Sequence, residues 1–239
     1  MFSKIKVLSE INNQLFNFIS PQDCSNKLIS FFHSNKTIKY HNLNNLQCQK
    51  NKGFIIISNH TCIVSDIILI LSKINCHTVS IKELFNPLLY FSELTNEVLV
   101  EKCQLIEYKR KSENLSSNGE EVKNIILKKI NNGEIVQIYP EGKMSNKNNL
   151  NPFKKGFLDL SFKNNIPILP IIIDYKDDFY VNTESETDRL VHHLEDTSGI
   201  DIHTLNFIYP EDSNTFDLFY NKVYNNMNNF YSELKNKRL

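Results

Sequence analysis

Asn59-His60 comes first along this chain, Tyr139-Pro140-Glu141-Gly142 second, and Ile166-Pro167-Ile168-Leu169-Pro170 third. An imidazole that titrates near neutrality can take a proton from an alcohol, and a carboxylate beside it can fix its tautomer and stabilise the imidazolium that forms. His60 is therefore a candidate general base, and Asp66 a candidate orienting carboxylate. Glu141 lies between Pro140, which fixes φ and removes a donor, and Gly142, which lets backbone or substrate approach closely. Each feature alone is weak, because a histidine beside an apolar run is more often structural and Pro-Glu-Gly turns are common. Their conjunction carries the reading.

The elements that must position these residues follow from patterning. Gly53 precedes the short β-branched run Phe54-Ile55-Ile56-Ile57, which predicts a buried strand ending at Ser58-Asn59. His60 then falls just past a strand end, where ligands bind in open α/β sheets. Asp66 opens an apolar stretch, Ile67 to Leu71, expected as a buried helix. Glu141 follows a second apolar strand, Ile135 to Tyr139, introduced by the turn Asn131-Asn132-Gly133. If the two strands run parallel, Glu141 and His60 share one edge of the sheet. A helix is expected from Phe153-Lys154-Lys155-Gly156-Phe157 to Asn165, then a strand from Ile166 to Ile173. Prolines are poorly tolerated in central strands, so Pro167 and Pro170 point to an edge, a bulge or a substrate-facing bend. Glu113 to Asn132 reads as a helix ending near Gly133, and His203 to Tyr209 as a late strand.

The motifs, in this order, resemble those of the glycerolipid acyltransferase family that includes 1-acylglycerol-3-phosphate acyltransferases. The resemblance spans about Gly53 to Asp174 and rests on Asn59, His60 and Asp66, then Pro140, Glu141, Gly142 and Ser145, then Ile166 to Pro170. Arg110 resembles the arginine of the family's second motif, and Lys82-Glu83-Leu84 a segment upstream of it. Three departures stand out. Five residues, Thr61 to Ser65, separate His60 from Asp66 where four are usual; Lys143 and Met144 replace Thr and Arg after Pro-Glu-Gly; and Gln104 stands where the second motif has glycine.

The resemblance implies a mixed, largely parallel α/β sheet flanked by helices, with residues 51–239 as an acyltransferase domain. It implies O-acyl transfer from acyl-CoA or acyl-carrier protein to a lysophospholipid such as 1-acylglycerol-3-phosphate. His60 and Asp66 would be catalytic. Glu141, Gly142, Ser145 and Lys82 would belong to the substrate site, with Arg110 and Lys143 for the acceptor's phosphate and Ile166 to Ile171 near the acyl chain or acceptor. Two alternatives stand beside this: the same chemistry on another acceptor, such as a lyso-ornithine lipid or a soluble metabolite, and a non-catalytic lipid-binding protein of this fold.

Composition narrows the remaining classes. The 239 residues suffice for one α/β domain with a sizeable core. Lys plus Arg, at 27, equals Asp plus Glu, so the overall charge gives no nucleic-acid signal. Five scattered cysteines argue against a disulfide framework or a zinc site and for a reducing compartment. No cofactor or metal is expected, and the acyl thioester is a co-substrate.

No apolar run reaches the ~18 residues of a membrane span, and the first residues lack a signal-peptide pattern. The expected location is cytoplasmic, with peripheral contact on the inner face of a membrane. Residues 1–50 are expected as an N-terminal helical region. Phe2, Ile5, Leu8, Ile11, Leu15 and Phe18 recur at helical spacing, and Ser20-Pro21 with Asp23 resembles the start of a second helix carrying Leu28, Phe31 and Phe32. This pair either lies on a membrane and guides lipid to His60 or packs on the core as ordinary helices. At the other end, Phe216, Phe219, Val223, Met227, Phe230 and Leu234 predict a C-terminal amphipathic helix whose stripe faces the core. The polar stretch Asp177 to Gly199 reads as an insertion or a loop near the substrate.

Overall fold

The computed structural model describes residues 36–49, 52–61, 65–81, 104–109, 117–145, 149–176 and 198–237, with Asp23, Ser25, Asn26, Ile29, Ser30 and Ser34. In chain order the elements are β1 (Ile38–His41), a 3-10 helix (Leu43–Gln49), β2 (Phe54–Ser58), α1 (Ser65–Leu71), β3 (His77–Ile81), β4 (Leu105–Tyr108), α2 (Gly119–Asn131), β5 (Ile135–Ile138), α3 (Lys155–Lys163), β6 (Ile168–Tyr175), β7 (Ile200–Thr204), a 3-10 turn (Pro210–Asp212) and α4 (Phe216–Asn236). The first expected N-terminal helix lies outside the described residues; in the second, Asp23, Ser25, Asn26, Ile29 and Ser30 are helical. Of the polar stretch 177–199, only Ser198 and Gly199 are described. Among the described residues, no helix is long and apolar enough to cross a membrane.

Two compact units divide the chain, one comprising residues 1–35, 62–122 and 181–196, the other 36–61, 123–180 and 197–239. In the first, β3 and β4 pair in parallel, Thr78 opposite Leu105. The described apolar residues of α1, Ile67, Leu69, Ile70 and Leu71, are all buried, as expected for a core helix. Asn118 ties the chain to the end of β4, donating to the Glu107 carbonyl and accepting from the Lys109 N–H. That contact holds Ser117 and Asn118 out of the helix, so α2 begins at Gly119, not at the expected Glu113; residues 113–116 lie outside the described set.

In the second unit the strands lie in the order β1-β7-β6-β2-β5. All pairings are parallel except the antiparallel β6–β7. Every residue of β2 and β6 is buried, which explains why both read as unbroken apolar runs and not as alternating ones. The central place of β6, between β2 and β7, overturns the edge reading of its prolines. The bulge reading holds. Ile168 exchanges both backbone hydrogen bonds with Ile208, and the Leu205 N–H donates to the Pro170 carbonyl, so three steps on one side oppose two on the other. Pro170, with no N–H to offer, sits where the ladder is already broken.

The late strand is β7 at Ile200–Thr204, earlier than the expected His203–Tyr209. Ile200, Ile202 and Thr204 are buried while Asp201 and His203 are partly exposed, and this alternation was hidden by the louder apolar pair Phe207-Ile208. Strand β1, parallel to β7 with His41 opposite His203, was not expected at all. On α4 the buried stripe is Phe219, Val223, Met227 and Tyr231. It packs on β6 and α3, and burial of each such side chain contributes about 1.5–3 kcal/mol. Thr215 caps the helix by accepting from the Leu218 N–H.

Helix α2 ends in a Schellman turn. Gly133 (φ 79°) donates to the Ile130 carbonyl and Glu134 to that of Lys129, which sends the chain directly into β5. Gly53 lies against the same helix end, where an added Cβ would stand 2.2 Å from the Ile130 carbonyl oxygen. Backbone cannot yield as a flexible side chain would, so Gly53→Ala is expected to cost about 1–3 kcal/mol by overpacking. The check is urea unfolding, and an unchanged midpoint would contradict the close approach.

Candidate active site

Strands β2 and β5 end almost level, with Ile57 opposite Ile138. Asn59-His60 and the turn Tyr139 to Gly142 therefore emerge together past the carboxyl ends of parallel strands. Asn59 continues the sheet after β2 has stopped. Its side chain donates to the Ile173 carbonyl (2.9 Å) and accepts from the Ile173 N–H (2.8 Å), acting as a surrogate strand residue on β6. The same amide donates to Thr61 Oγ1, so the residues on both sides of His60 are anchored.

His60 is 4% exposed. Its ring stacks on Tyr139 with centroids 4.3 Å apart. The Tyr139 hydroxyl accepts from Gln137 Nε2 (2.9 Å), and that same nitrogen donates to Ser58 Oγ. Gln137 is wholly buried in β5, so the surface on which the imidazole rests is fixed from within the sheet.

The Pro-Glu-Gly segment is a tight turn closed by the Gly142 N–H donating to the Tyr139 carbonyl (3.1 Å), with Gly142 at φ 63°. Pro140 and Glu141 take its central positions, and the turn drives the Glu141 side chain inward, to 1% exposure. There, both carboxylate oxygens are engaged. Oε1 accepts from Ser145 Oγ and from the His60 N–H (3.4 Å); Oε2 accepts from the Asn151 N–H (2.7 Å) and Asn151 Nδ2 (2.8 Å). Ser145 closes the ring, since its Oγ accepts from the His60 N–H (3.0 Å) and its own N–H donates to the His60 carbonyl. Burial raises the Glu141 carboxyl above its usual range, while hydrogen bonds from Ser145, Asn151 and His60 oppose the shift. Protonation is thus easier in the folded chain than in the unfolded one. The group's contribution to stability is fullest below the ordinary glutamate range and is lost as pH rises through the raised value.

Helix α4 braces the segment that supplies Asn151. Tyr220 donates its hydroxyl to the Phe153 carbonyl (3.0 Å), Tyr224 to the Leu150 carbonyl (3.3 Å), and Asn228 Oδ1 accepts from the Leu150 N–H.

The expected site residues thus divide into groups. His60, Glu141, Gly142 and Ser145 are brought together in one unit. Lys143 is exposed on the turn beside them, and Met144 gives its carbonyl to Asn151 Nδ2. Asp66 is fully buried in the first turn of α1, in the other unit. Arg110 and Lys82 lie outside the described residues. Gln104, in the place of the family's second-motif glycine, has φ 51°, a left-handed conformation that glycine adopts at least cost. Cys76 is buried, and burial pushes its thiol up to about 12, which removes it as a nucleophile. The sequence reading missed Asn151, Gln137 and the support role of Asn59. Asn151-Pro152 was the one local signal, a turn-forming dipeptide.

A protein-family model described as Acyltransferase matches residues 37–174. No curated protein matches the chain. Among solved structures, the crystal structure of the 1-acyl-sn-glycerophosphate (LPA) acyltransferase PlsC from Thermotoga maritima superposes with a TM-score of 0.59, covering 93% of this chain and 86% of that one. At 17% identity the likeness is one of fold.

Proposed function

This chain belongs to the acyltransferase family, and we propose that it moves a fatty acyl group from acyl-CoA or acyl-carrier protein to the free hydroxyl of a lysophospholipid such as 1-acylglycerol-3-phosphate. Membership makes it an enzyme of acyl transfer, with an acyl donor and a lipid acceptor as its substrates. The observation that carries the finer reading is the way His60 is held, just past the end of central β2, its ring on Tyr139 and its peptide tied to Ser145 and Glu141.

In the proposed mechanism the His60 imidazole takes the proton of the acceptor hydroxyl as the oxygen attacks the thioester carbonyl. The tetrahedral intermediate expels the thiolate, which receives that proton back from the imidazolium. A thiolate is a good leaving group, so no separate acid is needed. Asp66 is assigned the orienting carboxylate, by the resemblance of the His60-to-Asp66 segment to the family's first motif. Glu141 and Ser145 set the backbone at His60, and Lys143, exposed on the turn, together with Arg110 is assigned to the acceptor phosphate. Lys82 keeps a place in the substrate site by resemblance alone. The enzyme would work in the cytoplasm, on the inner face of a membrane, where a lysophospholipid is presented.

The test is thiol release from a panel of acyl-CoA donors, with and without lysophosphatidate, the acylated product being resolved by mass spectrometry. Release that requires lysophosphatidate and yields phosphatidate is the expected result. Release that requires a lyso-ornithine lipid or a soluble alcohol instead would overturn the acceptor assignment. Silence with every donor and acceptor would overturn the proposal as a whole.

A further inference from the structure

We propose that His41, Asp201 and His203 form a binding site for a divalent transition metal of the zinc class, one that staples edge strand β1 to β7. The register builds the site. His41 and His203 are direct partners across the parallel β1–β7 pair. Asp201 lies two residues before His203 on the same strand, hence on the same face. One ligand atom from each of the three lies within 4.8 Å of the others.

Three features separate this cluster from an ordinary polar surface. First, His41 Nε2, Asp201 Oδ1 and His203 Nε2 are each shielded from solvent, yet have no hydrogen-bond partner among the described residues. The side chain of His41 is 39% exposed, so its outer part meets water while its Nε2 is turned inward. Second, His41 Nε2 and Asp201 Oδ1 stand 3.5 Å apart. That is long for a hydrogen bond but suits two atoms sharing one ion, since tetrahedral ligands at about 2.0–2.1 Å from zinc stand about 3.4 Å from each other. Third, the two imidazoles stack almost parallel, centroids 4.4 Å apart and planes 8° from coplanar. Two imidazolium rings would repel at this separation, so the arrangement suits neutral rings, the form that ligates a metal. Burial and the charge of His41 also hold His203 below its usual range.

The surroundings fit the same reading. Lys176 Nζ takes the other carboxylate oxygen, Asp201 Oδ2, at 2.6 Å, which orients the group and leaves Oδ1 facing the imidazoles. Asp174, opposite Asp201 on β6, is buried and paired with Lys235 (3.2 Å). The edge of the His203 ring packs against Phe230 of α4. Two imidazoles and one carboxylate favour zinc, cobalt, nickel or ferrous iron over magnesium or calcium, which prefer all-oxygen sets. The three ligands leave a fourth position to water.

The test is calorimetric titration of the full chain, freed of metal by chelator and dialysis, with Zn2+ and with Co2+. One equivalent is expected to bind and to raise the thermal midpoint. His41→Ala, checked for fold by circular dichroism, should weaken that binding at least tenfold and lose the thermal shift, and Asp201→Asn should do the same. X-ray absorption of the zinc-loaded wild type does not depend on any variant folding, and should show two imidazoles with oxygen and no sulfur. Wild type that binds neither ion, folded variants that bind as tightly as wild type, or a sulfur-ligated zinc would each overturn the site.

Discussion

His60→Ala is expected to lower kcat/KM for acyl transfer by about 10²–10⁴-fold, the usual contribution of a positioned general base, with the folded structure retained. Both halves of this expectation come from one separation of roles. The hydrogen bonds that join His60 to Ser145 and Glu141 are made by its backbone N–H and carbonyl, not by its ring. Alanine keeps all of them. What is lost on the structural side is the imidazole's stack on Tyr139, a contact in the range of about 0.5–1.5 kcal/mol. Thiol-release kinetics and thermal unfolding on the same preparation read the two halves together. A variant with the wild-type rate would remove His60 from the mechanism; one that is inactive because it is unfolded would remove the argument that ring and backbone have separate tasks.

Glu141→Ala should behave in the opposite way, losing stability and activity together. Its carboxylate receives the Ser145 hydroxyl, the His60 N–H and both the backbone and side-chain N–H groups of Asn151. Each buried donor left without a partner costs about 1–3 kcal/mol, so the variant should be destabilised by about 3 kcal/mol or more. Glutamine is not a neutral replacement here. All four groups facing Glu141 donate, and an amide would turn its own NH2 against two of them. Glu141→Gln should therefore also unfold at lower denaturant and transfer acyl groups more slowly than wild type. Urea unfolding of the three proteins decides the matter, and a Glu141→Gln midpoint equal to that of wild type would show that the carboxylate's partners do not hold the turn.

The parts of the fold most legible in the sequence were those whose signal is local. Phe54–Ile57, Ile135–Ile138 and Ile168–Ile173 are contiguous β-branched runs because their strands are covered on both faces, and the two turn glycines, Gly133 and Gly142, stand at positive φ. Strand β1 had no such signal; Ile38-Lys39-Tyr40-His41 is four residues long and half polar. In β7, Asp201 and His203 interrupt the apolar pattern. The candidate site divides along the same line. His60 and Glu141 announce themselves by their neighbours in the chain. Asn59 does not reveal that it reaches Ile173, 114 residues away, and Asn151 is one asparagine in a chain full of them. His41 is separated from Asp201 and His203 by most of the chain, so no ligand spacing could be read. Such pairings belong to the topology, and a single sequence carries no record of it.

The grip of α4 on the segment after the Glu141 turn bears on when the protein becomes an enzyme during its synthesis. His60 and Glu141 leave the ribosome well before Tyr220, Tyr224 and Asn228, the residues that steady Leu150 and Phe153 on either side of Asn151. The nascent chain can thus assemble its sheet while the ring of contacts around Glu141 still lacks its outer brace. Catalytic competence arrives with the last helix, which keeps an unfinished polypeptide from spending acyl thioesters before it can direct them to an acceptor.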